Sequence, residues 1–103
     1  MITFTSQLPH IASVAYVLQE NFKKCDGYYA GSFKDMARVA KINPYLWTEL
    51  FKINKDVLCK QIDGYIDALE KIKNSVVENG GELFDILEKS RELKEWQDEN
   101  YKD

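Results

Sequence analysis

The sequence has a single histidine, and it stands in the stretch Thr5-Ser6-Gln7-Leu8-Pro9-His10. Proline lacks an N–H and its φ is already helical, so Pro9 suits the first turn of a helix. Ser6 or Thr5 sits where an N-cap hydroxyl belongs. His10 then falls at the positive end of the helix dipole, beside backbone N–H groups without partners. Such an end suits an anion. Gln7 offers an amide to the same ligand, or is a plain loop residue. Arg38 is the second candidate, because a guanidinium fork binds a carboxylate bidentately. Its plainer alternative is a solvated side chain paired with Asp35, three residues earlier. Trp47, with Tyr45, is a core or interface anchor by residue type. A structural histidine and a purely capping Ser6 are the corresponding plain readings of the first segment. No nucleophile–base pair, metal set or acidic pair can be assembled from the sequence, so no catalytic residue is assigned.

The elements that must position these residues read as helices. Met1-Ile2-Thr3-Phe4-Thr5 alternates like a short extended segment. The first helix is predicted over 8–24, nearly without charge until Glu20, and so buried on most faces. Gly27 ends it, and Tyr28-Tyr29-Ala30-Gly31 forms a loop that lines a cleft or packs over helix ends. Ser32 reads as the N-cap of a short helix over 33–41, with Phe33, Met36, Ala37 and Ala40 on one face and Lys34, Arg38 and Lys41 largely elsewhere. Asn43-Pro44 starts a third helix over 44–52. Asn54 caps a fourth, over 55–78. There Leu58, Ile62, Tyr65, Leu69, Ile72 and Val76 repeat as a heptad seam, widened by Val57 and Ile66. Gly64 in its middle predicts close approach of another helix. Asn79-Gly80-Gly81 stops it. A fifth helix spans 82–96, with Leu83, Ile86, Leu87, Ser90 and Leu93 inward and a polar tail that frays. The fold class is all-α, about five helices, in one domain over 1–103.

Composition narrows the partners. The 103 residues carry a net charge of −3, with 45% hydrophobic and 30% charged residues. That is a globular composition. The acidic balance gives no support to nucleic acid or an anionic membrane surface. Helices over 33–41 and 44–52 have a helix-turn-helix outline, but the second offers no basic residue before Lys52, so DNA binding ranks low. No apolar run reaches the roughly 20 residues of a membrane span. Without a leader-like start, and with Cys25 and Cys59 far apart, cytoplasm and reduced thiols are the expectation.

Thr-Ser-Gln-Leu-Pro-His, then Gly31-Ser32-Phe33-Lys34-Asp35-Met36-Ala37-Arg38-Val39-Ala40, then Asn43-Pro44-Tyr45-Leu46-Trp47 and the long helix after Asn54, resemble the C-terminal helical domain of prephenate dehydrogenases. The family pattern is Ser-His-x-Pro-His, then Gly-[Phe/Tyr]-x-Asp-x-[Thr/Ala]-Arg-[Ile/Val]-Ala, then Pro-x-x-Trp. The resemblance covers nearly the whole chain, in order. It implies NAD-dependent oxidative decarboxylation of prephenate to 4-hydroxyphenylpyruvate on the route to tyrosine, with arogenate as the alternative substrate. It implies that NAD and the catalytic histidine belong to an N-terminal dinucleotide-binding domain, absent from these 103 residues, and that the helical domain forms an intertwined homodimer. It places His10, Arg38, Ser6, Gln7 and Trp47 at the substrate, with Arg38 on a carboxylate. Gln7 departs from the pattern: glutamine keeps hydrogen bonding but cannot become cationic. The expected site is one cleft shared by Arg38, Ser6, Gln7 and His10. Met1 directly before the motif points to an excised domain or a shortened reading frame. The rival reading is a freestanding helical dimerisation module without a catalytic role.

Overall fold

The computed structural model describes residues 2–25, 31–78 and 81–101. Among them it is all-helical, with five α-helices: α1 (Leu8–Val17), α2 (Gly31–Arg38), α3 (Pro44–Ile53), α4 (Lys55–Val77) and α5 (Gly81–Asn100). The predicted stop at Gly27, the loop at Tyr28 and Tyr29, and the break at Asn79-Gly80 lie outside the described residues. The chain gathers into two compact units, Met1–Asp63 and Gly64–Asp103, and α4 contributes to both.

The N-terminal segment is not extended. Thr3–Gln7 forms a π-helical turn that runs straight into α1. Gln7 is in right-handed helical conformation and caps nothing with its side chain, and the Leu8 N–H donates back to the Thr3 carbonyl. Pro9 supplies the reason. Inside a continuous helix its ring crowds the carbonyl four residues back, and the wider π turn relieves that crowding. The open helix end therefore lies upstream of Thr3 rather than at His10. The N-cap role expected of Ser6 or Thr5 and the anion-binding helix end expected at His10 are both corrected.

α1 stops at Val17, not at 24, and residues Glu20–Cys25 continue as a 3₁₀ segment. The change of pitch is visible in the Gln19 N–H bonding to Tyr16 O at 3.3 Å and the Phe22 N–H to Gln19 O at 3.1 Å. The tighter coil turns Phe22 onto Phe33, ring centroids 5.5 Å apart and stacked. Tyr16 meets Phe33 edge-on at 6.2 Å. α2 is thus anchored to α1 through Phe33. It is also anchored through Ser13, fully buried, whose hydroxyl donates to the Met36 carbonyl. A larger residue at 13 would hold the two helices apart. Ser32 lies within α2, one residue past its first described position, rather than before it.

α3 begins as predicted. Asn43 is extended (φ −77°, ψ 112°) and its Oδ1 accepts from the Tyr45 and Leu46 N–H groups at 2.9 and 3.4 Å. Asn54 joins two helices through its backbone: its N–H bonds to Leu50 O at 3.3 Å and its carbonyl accepts from Leu58 at 2.8 Å. In the first unit the buried apolar residues among those described are Leu8 and Leu58. α1, expected to be buried on most faces, has only Leu8 and Ser13 fully buried.

In the second unit Ser75 is buried, its hydroxyl on Ile72 O at 2.8 Å, and Leu83 and Ile86 are half-buried. The predicted inward positions Leu87 and Leu93 are exposed, as are Leu69, Ile72 and Val76 of the seam. α4 and α5 thus leave much of their apolar stripes uncovered. A Cβ built on Gly64 meets nothing within 4 Å, so the close helix contact expected there is not made among the described residues. α5 also runs four residues past the expected end. Lys94 pairs with Asp98 at 3.0 Å, Asn100 Nδ2 donates to Trp96 O at 2.8 Å, and Tyr101 packs edge-on against Trp96 at 5.5 Å.

Candidate functional site

His10 is held from two sides. Its Nδ1 lies 2.8 Å from the Ser6 carbonyl. A carbonyl oxygen only accepts, so Nδ1 carries the hydrogen and, in the neutral ring, Nε2 keeps the lone pair. The imidazole stacks on Trp47, centroids 4.1 Å apart and planes 26° from parallel. Trp47 leans in turn on Phe51, at 5.6 Å. α1 thus supplies the histidine and α3, set by the Asn43-Pro44 start, supplies the plate behind it. Trp47 covers one face of the ring.

Gln7, one turn before His10, is 3% exposed, and among the described residues its Oε1 has no hydrogen-bond partner. A buried amide oxygen without a donor costs about 1–3 kcal/mol. Gln7 therefore places a buried, unsatisfied acceptor one turn before the histidine. Gln61 Oε1, on α4, is a second buried acceptor without a partner among the described residues.

Arg38 stands elsewhere in the same unit. It closes α2, is exposed, and lines a shallow groove of about 440 Å³ with Phe33, Lys34, Ala37 and Lys41. The turn after α2, in which the Ala40 N–H bonds to Ala37 O and the Lys41 N–H to Arg38 O, brings Lys41 to that groove. Among the described residues Arg38 has no ion pair; the pairs present join Lys24 to Glu20, Arg91 to Glu88 and Glu95, and Lys94 to Asp98. The Asp35 pairing is not formed. Ser6, Gln7 and His10 do not line the groove, so this chain by itself brings together His10, Ser6 and Trp47 but not Arg38 with them.

Two features escaped the sequence reading. The Trp47–His10 stack joins residues far apart in the chain, and no periodicity signals it. Lys34 and Lys41 flank Arg38 in the groove; their spacing from Arg38 was the available signal. Among the described residues no three His, Cys, Asp or Glu side chains converge as a metal set.

The family model described as "Prephenate dehydrogenase, dimerization domain" matches residues 1–92. The chain belongs to the prephenate dehydrogenase dimerization-domain family. Among similar proteins, a cyclohexadienyl dehydrogenase of Zymomonas mobilis subsp. mobilis (strain ATCC 31821 / ZM4 / CP4) is 29% identical over 98 residues, 89% of this chain. A prephenate dehydrogenase of Bacillus subtilis (strain 168) is 26% identical over 96 residues, 87% of this chain. The chain spans 33% and 26% of those two relatives' lengths. No solved structure matches. Prephenate dehydrogenase dimerization domains are thus represented here by an all-helical chain whose Pro-His and Pro-x-x-Trp motifs meet at one stack. No helix among the described residues is long and apolar enough to cross a membrane.

Proposed function

We propose that the chain is the C-terminal dimerisation and prephenate-binding part of a cytoplasmic NAD-dependent prephenate dehydrogenase, which converts prephenate to 4-hydroxyphenylpyruvate in tyrosine biosynthesis. The family match over residues 1–92 carries the reading. The names of both relatives, each a dehydrogenase, support it. The substrate-binding residues are His10, Arg38, Ser6, Gln7 and Trp47. Ser6 sets the His10 tautomer, Trp47 holds its ring, and Nε2 and the Gln7 amide are the polar groups offered to the substrate. Arg38 takes a carboxylate. Arogenate is the alternative substrate. NAD serves as hydride acceptor in such an enzyme. The 103 residues contain no Gly-x-Gly-x-x-Gly run and, among those described, no strand, so they do not fit the dinucleotide-binding pattern.

The apolar residues left open on the second unit support a homodimer. They equally support the second reading, a dimerisation module without a catalytic role. Joining the chain to the dinucleotide-binding part of the Zymomonas mobilis relative, in place of that protein's matching segment, separates the two. Prephenate-dependent NADH formation is expected from the chimera, and none from the chain alone. A folded, dimeric chimera without turnover would leave the module reading; sustained turnover by the isolated chain would overturn the division of labour.

A further inference from the structure

We propose that Phe51 is a positioning residue of the candidate site: it braces the Trp47 ring, and the braced ring holds the His10 imidazole in one place and one tautomer. The inference rests on the substrate-binding reading above and adds to it a side chain outside that reading's residues.

Trp47 and Phe51 are four residues apart on α3, so they share one face of the helix. Helical side chains lean toward the N-terminus, which carries the Phe51 ring back over the turn that bears Trp47. The two rings meet with centroids 5.6 Å apart and planes tilted by 60°. That is a separation and slant at which one aromatic ring sets its edge on another. Trp47 in turn stacks on His10, at 4.1 Å and 26°. Three rings therefore stand in series, phenyl to indole to imidazole, and the middle one is shared. All three are half-buried. A half-buried indole has room for other rotamers, and each of them withdraws the plate from the imidazole. Phe51 fills space beside the indole and removes part of that freedom. The stack is sensitive to this, because a gap of about 0.5–1 Å forfeits a quarter to a half of a dispersion contact. The other tie on His10 is the hydrogen bond from Nδ1 to the Ser6 carbonyl, 2.8 Å. That bond keeps its geometry while the ring plane is fixed, and the indole fixes the plane. Phe51 thus acts through Trp47 on which ring nitrogen carries the proton. A role in packing alone makes a different forecast. Leucine keeps much of the apolar burial and lacks only the flat ring, so packing alone predicts lower stability with His10 undisturbed.

The test uses Phe51→Leu, Phe51→Tyr and, against the case that leucine does not fold, Phe51→Met, with Phe84→Leu on α5 as control. His10 is the chain's single histidine, so its ring signals in NMR are unambiguous. In the isolated chain the Trp47 ring current should displace the carbon-bound protons of His10 upfield. Nitrogen-15 shifts should show the Nδ1–H tautomer at alkaline pH. Phe51→Leu should return the proton signals toward those of free histidine and mix the tautomers. Phe51→Tyr, which keeps the ring, should restore both, and Phe84→Leu should change neither. In the chimera Phe51→Leu should raise the KM for prephenate about twofold to tenfold, the worth of an aromatic pair, and spare kcat. Folded leucine or methionine variants with unmoved His10 signals overturn the brace, whatever the chimera does. Moved signals beside an unchanged KM in an active chimera overturn its part in substrate binding and leave the function standing. Moved signals rescued by tyrosine, beside a chimera without turnover, support the brace and defeat the substrate-binding reading.

Discussion

A guanidinium on an open helix face contributes little until a carboxylate reaches it, and Arg38 is in that state. Its exposure makes its loss cheap for folding, so substitutions there report on ligand rather than on stability. In the chimera Arg38→Ala should raise the KM for prephenate about tenfold or more, with NAD affinity unchanged. Arg38→Lys should recover only part, because a point charge lacks the fork. Steady-state kinetics with each substrate varied decide it; a KM unaffected by Arg38→Ala removes the residue from the site. His10 is the opposite case. Its hydrogen bond to Ser6 and its stack on Trp47 tie it to the fold. A change at His10 or Trp47 would mix structural and functional losses.

At the scale of the elements, two positions give clean tests. Asn43 receives two N–H groups at the start of α3. Asn43→Ala should cost about 1 kcal/mol of stability, read from urea unfolding. Because α3 holds Trp47 behind His10, the same variant should loosen the stack, which Trp fluorescence reports. Gly64 lies in mid-helix with open space where a Cβ would sit. Gly64→Ala should therefore stabilise α4 by about 0.5–1 kcal/mol if nothing packs there in the assembly. A lowered melting temperature instead would locate a close-packed partner helix against Gly64, the contact that its mid-helix position predicts and that the described residues do not make.

For the whole molecule, the second unit exposes Leu69 at 50%, Leu87 at 57% and Phe84 at 65%. Monomers rarely leave so many large apolar residues open on two adjoining helices. Sedimentation at micromolar concentration should show a dimer. Leu69→Asp with Leu87→Asp should shift it to monomer and lower the melting temperature, since a folded partner stabilises by mass action. A well-folded monomer of the unaltered chain at that concentration would refute the homodimer.

Helix positions were legible in the sequence because their signals are local. Asn43-Pro44 fixes a start by its own hydrogen bonds, and a heptad seam states its own period. Motif order was legible for the same reason, and with it the family. What the sequence could not give depended on groups meeting across the chain. The π turn arises because Pro9 sits inside a helix that begins earlier than its cap-like hydroxyls suggest. The end of α1 is set by Phe22 finding Phe33, and the His10–Trp47 stack by α3 folding back on α1. Arg38 was read as part of the His10 cleft; the fold of one chain instead gives it a groove of its own with two lysines. Sequence alone determined which side chains carry a charge or amide suited to an anion. Only the tertiary structure decided which of them stand together, because proximity between distant residues is fixed by packing and not by spacing.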